Sequence, residues 1–284
     1  MNGTWHTSRR AIDYRHKTLV MGVLNVTPDS FSDGGTAITI DDALRRTDQM
    51  ISDGADMIDI GGESTRPGAE RATVADEIAR VVPVIEAIVK RSDTPISVDT
   101  TRSEVAAAAV DAGAEIINDI SGLRWDVAIA DVAARSNTGL ILMHLRGNFE
   151  TMHQQYPETD ILTDVSGGFT KTIERAVDRG IRKECIVLDV GIGFSKTQEQ
   201  NLELLAKLGK LVDEFHDFPL LVGVSRKSFI GRVAGVKDPG ERLPGSLAAA
   251  VVAIWNGASI LRVHDVSETR QASAIVDSIR KFST

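Results

Sequence analysis

A single pattern, repeated eight times, constrains this chain most: a short apolar run, one group able to hydrogen-bond, then a loop. Asn25 ends Leu19-Val20-Met21-Gly22-Val23-Leu24, Asp59 follows Met57-Ile58, and Asp99 follows Ile96-Ser97-Val98. Asn118 follows Ile116-Ile117, His144 follows Leu140-Ile141-Leu142-Met143, and Asp189 follows Ile186-Val187-Leu188. Ser225-Arg226-Lys227 come after Leu220-Leu221-Val222-Gly223-Val224, and Arg262 and His264 close Ile260-Leu261. Strands that read as nearly continuous apolar runs belong to parallel sheets covered on both faces. Parallel strands need helical crossovers, and helical stretches separate these runs. Eight such units predict a closed (β/α)8 barrel, whose polar site is assembled from the C-terminal ends of its strands. A doubly wound open sheet is the alternative, but a polar group at nearly every strand end suits the closed barrel better.

The predicted strands are 19–25, 57–61, 96–99, 115–119, 140–144, 186–190, 220–225 and 259–263. Helices are expected near 40–53, 74–91, 102–112, 126–135, 160–179, 198–214, 244–256 and 267–281. Thr39 before two aspartates reads as an N-cap, and Thr101-Arg102-Ser103-Glu104 and Thr197-Gln198-Glu199-Gln200 read as capping boxes. Gly54, Gly113, Gly180 and Gly257 mark helix ends that need a left-handed residue. Three of these glycines open a repeat of the form Gly-Ala-polar-apolar-apolar, at 54–58, 113–117 and 257–261. The repeat reads as a recurrent turn feeding parallel strands. No linker divides the 284 residues, so the expectation is an N-terminal extension over 1–17 and one barrel domain over 18–284. Long loops follow strands 1, 2 and 5, at 26–38, 62–73 and 145–159, and long loops in compact domains tend to be functional.

The net charge of -8, with both signs interspersed, argues against a nucleic-acid surface. A local cationic cluster for a small anion remains compatible with it. One cysteine, Cys185, excludes an intramolecular disulfide and reads as a small buried hydrophobe. The first residues have no apolar signal region, and the longest apolar run, 247–255, is far short of the roughly 18 residues that span a bilayer. The expectation is a cytoplasmic protein with no membrane partner.

Among the strand-end groups, Asp99, Asn118 and Asp189 would point into one mouth. A buried carboxylate there needs donors, which a flat heterocycle with ring N–H and amino groups supplies, and Asn118 can donate and accept at once. Arg66, Lys227, Arg262 and His264 form a cationic set suited to phosphate-type oxygens. Lys227-Ser228 resembles the end of a phosphate-binding P-loop, but the glycine pattern before it is absent. His144 reads as a satisfied, partly buried histidine. The histidines lack zinc-ligand spacing, whereas a Mg²⁺ held by Asn25 and phosphate oxygens fits that ion's preference for few protein ligands.

The segments 21–35, Gly61-Gly62-Glu63-Ser64-Thr65-Arg66-Pro67-Gly68, Ser97-Val98-Asp99-Thr100, Ile117-Asn118-Asp119-Ile120, Val222-Gly223-Val224-Ser225-Arg226-Lys227-Ser228 and Arg262-Val263-His264-Asp265-Val266 resemble the bacterial dihydropteroate synthases. The resemblance runs from about residue 18 to the C-terminus, and its first two loops in combination are its most specific part. It implies a (β/α)8 barrel that condenses 6-hydroxymethyl-7,8-dihydropterin pyrophosphate with p-aminobenzoate, giving dihydropteroate and pyrophosphate. By matched position, it implies that Asp99, Asn118, Asp189 and Lys227 hold the pterin, with Arg262 packed along it. Asn25 would meet a Mg²⁺-pyrophosphate, with Arg66 and His264 on the anion. Thr65, Pro67, Phe31 and Ser228 would border the p-aminobenzoate pocket, where sulfonamides compete. The catalytic set on this reading is Arg66, Lys227, His264 and Asp99. The family is usually dimeric, so a homodimer is expected, with the apolar last helices as one possible interface.

Two positions depart from the family pattern. Val190 replaces a usual proline, which predicts a looser backbone after Asp189, and Phe149 replaces another in the fifth loop. A methyltetrahydrofolate methyltransferase and a non-catalytic pterin-binding paralogue are the rival readings. The former would not need the loop 27–35, Arg66 or Lys227.

Overall fold

A computed structural model describes residues 3–27, 39–157 and 160–282. Two short strands, β1 (Thr4–His6) and β2 (Ala11–Asp13), form an antiparallel hairpin. Eight parallel strands then close into a barrel: β3 (Leu19–Asn25), β4 (Met57–Gly61), β5 (Ile96–Asp99), β6 (Ile116–Asp119), β7 (Gly139–Met143), β8 (Ile186–Asp189), β9 (Leu220–Val222) and β10 (Ile260–Val263). The last strand pairs with the first, Ile260 opposite Leu19 and Val263 opposite Gly22. The (β/α)8 expectation therefore holds, and the strands lie where the apolar runs placed them.

The surrounding helices are α1 (Ile40–Ser52), α2 (Val74–Val89), α3 (Ser103–Asp111), α4 (Ala128–Ser136), α5 (Ile161–Asp178), α6 (Gln198–Ala206), α7 (Leu208–Glu214), α8 (Ser228–Ala234), α9 (Leu243–Trp255) and α10 (Val266–Arg280). The stretch expected as one helix over 198–214 is two, and the short α8 was not anticipated. Thr39 accepts from the Asp42 amide, and Thr197 with Gln200 forms a reciprocal capping box. The box expected at Thr101–Glu104 is absent. Arg102 occupies the N-cap of α3, and its guanidinium binds Glu63 (3.0 Å) and Glu77 (3.2 Å). The Ser103 amide is capped from the next loop by Asp126 at 2.7 Å. A tertiary acceptor has replaced the local one. Gly54, Gly113, Gly180 and Gly257 all have positive φ, as the helix-end reading requires.

Strand side chains alternate between two apolar cores, because successive Cβ atoms point to opposite faces. Val20, Ile58, Val98, Ile117, Leu142 and Leu188 face the helices. Leu19, Met21, Met57, Ile116, Ile141, Val187, Leu221 and Ile260 fill the barrel interior with Trp5. Trp5 has no exposed surface, and its indole Nε1 donates to the Cys185 carbonyl at 2.9 Å. The segment read as an N-terminal extension thus stoppers the barrel's N-terminal end. Cys185 is buried, as expected.

Candidate active site

The alternation that builds the core also builds the site. Two residues beyond inward-facing Met57, Ile116, Val187 and Ile260 stand Asp59, Asn118, Asp189 and Arg262, so period-2 geometry turns them into the same interior, one layer higher. Register ties Asn25 to Gly61, Gly61 to Asp99 and Asp99 to Asn118 in one row around the rim. Thr65, Asp99, Asn118, Asp189, Lys227, Arg262 and His264 line one pocket at this C-terminal mouth. Seven residues singled out in the sequence therefore converge.

Arg262 lies across the floor. Its Nε donates to Asp59 at 2.6 Å and its Nη2 to Asp99 at 2.7 Å. Asn118 donates from Nδ2 to the same Asp59 carboxylate at 3.0 Å, which leaves its buried Oδ1 without a partner among the described residues. Because a carboxylate only accepts, that bond sets the amide's orientation. Asp189 accepts the Gly191 amide at 2.8 Å. That bond closes the turn in which looseness was expected, and Val190 packs into the outer core.

Burial dominates the titration of these groups. It pushes the Asp99 carboxyl above the usual carboxylate range against the opposing pull of Arg262, with Asp59 and Glu77 adding to the rise. It also raises Asp189, opposed by the Gly191 amide and Lys227. Lys227 falls to about 8 through burial and then the nearby Arg262, so it is still mostly cationic at neutral pH. His264 was expected among the cations. Burial, and then Arg262, hold its imidazole below the ordinary value, although the residue's exposure to solvent limits the effect. Its Nδ1 pairs with Ser225 Oγ at 3.1 Å. It joins the site as a neutral hydrogen-bonding group.

Lys227 is delivered by a strained turn: Arg226 before it has φ +59, and Lys227 is the N-cap of α8. Its Nζ lies 4.2 Å from the Phe194 ring centroid. Phe194 is supported from below by Lys196, a buried side chain whose Nζ donates to the carbonyls of His144 (3.1 Å), Gly191 (2.9 Å) and Phe194 (3.2 Å). Burial lowers the Lys196 ammonium to about 7.

Other expected residues stay outside the mouth. Arg66 and Pro67 are exposed on the loop after β4, and Ser228 is exposed in the first turn of α8, where Arg232 donates to it at 3.4 Å. Phe31 lies outside the described residues. His144 is buried, with Nε2 3.1 Å from Asp164 but Nδ1 without a partner among the described residues, so it is only half satisfied. It borders a second cavity of about 620 Å³ on the barrel flank, lined also by Arg124, Arg146, Asp164 and Lys171, which shares Met143 with the mouth.

Sequence reasoning gave Asp59 and Ser225 as strand-end groups without a role and left Phe194 and Lys196 unmarked. Asp59 carried the same strand-end signal as Asp99 and was recoverable. Phe194 and Lys196 sit in a turn, where no periodicity announces direction. Phe149, the second departure, packs with Leu145, Met152 and Phe194 and meets Trp125 edge-on at 6.3 Å.

For a metal, the described residues hold no group of three carboxylate, imidazole or thiol ligands. Asn25 offers one neutral oxygen at the rim, and a Cβ at Gly61 would stand 3.5 Å from that Oδ1 and 3.8 Å from Asp99 Oδ2. The glycine keeps space open between the two side chains. That donor set fits a Mg²⁺ taking most of its oxygens from ligand and water.

A family model described as pterin binding enzyme matches residues 21–264. A dihydropteroate synthase from Escherichia coli is 49% identical, across 91% of this chain and 90% of that protein. One from Synechocystis is 46% identical, across 94% and 92%. The solved Yersinia pestis dihydropteroate synthase in complex with a sulfonamide drug superposes with a TM-score of 0.91 at 44% identity, covering 98% of this chain and 99% of that one. The Xanthomonas albilineans dihydropteroate synthase with 4-aminobenzoic acid gives 0.91 at 40% identity, covering 99% of each. A match of this depth over nearly the whole length places the chain in the pterin-binding enzyme family, among the dihydropteroate synthases.

Proposed function

We propose that this chain condenses 6-hydroxymethyl-7,8-dihydropterin pyrophosphate with p-aminobenzoate, releasing 7,8-dihydropteroate and pyrophosphate in folate biosynthesis. The observation that carries the reading is the gathering of Asp99, Asn118 and Asp189 beside Lys227 and Arg262 in one mouth. Two carboxylates and an amide with an unpartnered buried oxygen match the donor-rich edge of a pterin. Arg262, pinned flat by Asp59 and Asp99, offers a guanidinium plane for the ring to lie along.

The reaction displaces diphosphate from a CH₂ on an electron-rich ring. Departure can run ahead of attack, because the ring spreads positive charge, so catalysis is largely electrostatic. Asp99 and Asp189, when ionised, favour that positive charge. Arg66 is the cation assigned to the leaving diphosphate, and His264 donates a hydrogen bond to it, while Lys227 holds the pterin ring. Asn25 would hold a Mg²⁺, whose chemistry when bound is neutralisation of charge on the leaving group. The aniline nitrogen attacks while neutral, so no strong base is required. Thr65 and Phe194 flank the approach of p-aminobenzoate, and Phe31, Pro67 and Ser228 belong to the same pocket on this reading.

A homodimer is part of the proposal. Val252 and Trp255 on α9, and Ile275 and Ile279 on α10, are exposed apolar side chains on neighbouring helices, and light scattering would test the pairing. A cytoplasmic setting is proposed with it, in keeping with a single, buried, unpaired cysteine. No helix among the described residues is long and apolar enough to cross a membrane.

The decisive experiment mixes purified protein with the pterin pyrophosphate, p-aminobenzoate and Mg²⁺. Equimolar dihydropteroate and pyrophosphate are expected. Pterin binding with no product would leave only a pterin-binding protein, and no binding at all would remove the reading.

A further inference from the structure

The loop after β7 reaches over to the loop after β4 at two points. His153 donates from Nε2 to the Thr65 carbonyl oxygen at 2.8 Å. The Arg71 guanidinium lies over the rings of Phe149 (5.2 Å) and Trp125 (6.0 Å). The other face of the first contact is equally specific. The His153 ring stacks on Phe194 with centroids 5.7 Å apart and planes 21° from parallel. Phe194 in turn carries Lys227 Nζ at 4.2 Å. Thr65, Phe194 and Lys227 all line the mouth, and His153 does not. One side chain therefore stands behind two walls of the site and joins them.

We infer that His153 is a positioning residue that sets the gap between Thr65 and the Phe194–Lys227 wall, and with it the fit of the aromatic amine substrate. The inference rests on the proposed condensation for the identity of that substrate. The pterin side is insulated from the tether, because Asp99, Asn118 and Asp189 are placed by barrel register. Thr65 has no such support. The loop's base is held through Glu63 and Ala72, by bonds to Arg102 and to each other. Between those anchors, among the described residues, the Arg66 amide bonds only within the loop, to Ser64 Oγ at 3.4 Å, and Arg71 reaches Thr101 at 3.5 Å, so the direct hold on Thr65 itself comes from His153. A carbonyl can only accept, so the proton sits on Nε2, and the bond survives in both the neutral and the cationic imidazole.

Two variants separate the ring from the donor. His153→Phe keeps a ring to stack on Phe194 and loses the donor. His153→Gln keeps an amide donor and loses the ring. In His153→Phe, the KM for p-aminobenzoate should rise about fivefold, the scale of one net neutral hydrogen bond. The KM for the pterin pyrophosphate should stay within about twofold. His153→Gln should recover at least half of the loss on a logarithmic scale. The tether also has a readout without substrate: trypsin cleavage after exposed Arg71 should accelerate at least threefold in His153→Phe. Unchanged KM and cleavage in His153→Phe would overturn the inference, as would a parallel rise in both KM values or equal damage in the two variants. Faster cleavage in a protein that forms no product would keep the tether and remove the assigned reaction instead.

Discussion

Replacing Asp59 by asparagine tests how the mouth is held together. Asp59 has no exposed surface, and its Oδ2 accepts from both Arg262 Nε (2.6 Å) and Asn118 Nδ2 (3.0 Å). Asparagine keeps the volume and one acceptor oxygen but removes the charge. Breaking a buried ion pair by deleting one partner costs about 3–5 kcal/mol when the other charge is stranded. Here Arg262 retains Asp99 at 2.7 Å, so the loss belongs below that range, at about 2 kcal/mol. In a chain of this size, that lowers Tm by roughly 3–4 °C. The change has a second, electrostatic consequence. The Asp59 charge helps to raise the Asp99 pKa, so its removal brings Asp99 down toward the ordinary carboxylate range. A carboxyl whose folded pKa is raised contributes stability that is full below about pH 4 and is lost as pH climbs through the folded value. Asp59→Asn should shorten that window from its upper end. It should also move the acid limb of pterin binding to lower pH, because Asp99 ionises sooner. Urea melts across pH and calorimetric pterin titrations measure both effects. An unchanged midpoint together with an unmoved acid limb would refute the account of Asp59 as the group that orients Arg262.

Three further outcomes follow from the same geometry. Trp5→Ala should destabilise the protein by about 3–5 kcal/mol in urea while leaving kcat unaltered at temperatures where the barrel stays folded, since Trp5 fills the end remote from the mouth. His144, held at about 4 chiefly by burial, contributes stability that is present above pH 6.5 and lost as pH falls through 4. The wild type should lose roughly 3 kcal/mol more than His144→Gln between pH 7 and pH 4, and parallel curves would remove that role. Lys227→Ala and Arg66→Ala should each lower turnover at least tenfold, about 1.4 kcal/mol in the barrier, and wild-type rates would withdraw either residue from its assigned role.

What could be read in advance followed from periodicity. The apolar runs located all eight barrel strands, and strand-end polarity located the mouth, because alternation along a strand fixes which way a side chain points. Val222 ends β9 short of the expected 225, since the chain leaves the ladder at Gly223 and turns at Ser225 and the strained Arg226, where the Lys227 amide donates to the Val224 carbonyl. Side chains in loops obey no such rule. Arg66 and Pro67 carried the family pattern but stand in solvent, and Thr65 beside them faces the mouth through a contact 88 residues away. Arg102 overrode a local capping signal because two carboxylates from other elements claimed its guanidinium. Asp59 was visible as a strand-end acid. Its role as joint acceptor for Arg262 and Asn118 depends on a barrel that brings residues 59, 118 and 262 together.

Closure of the ring through Leu19–Asn25 and Ile260–Val263 has a consequence for synthesis. The first barrel strand emerges from the ribosome long before its final neighbour exists. At about 5–20 residues per second, the wait runs from roughly ten seconds to most of a minute. During that interval the nascent sheet has two unpaired edges and a half-filled interior, a template for association with other chains. A premature stop anywhere before residue 260 would therefore yield an open, adhesive sheet rather than a weakened enzyme, and the cell's chaperones and proteases would meet it as an aggregation hazard.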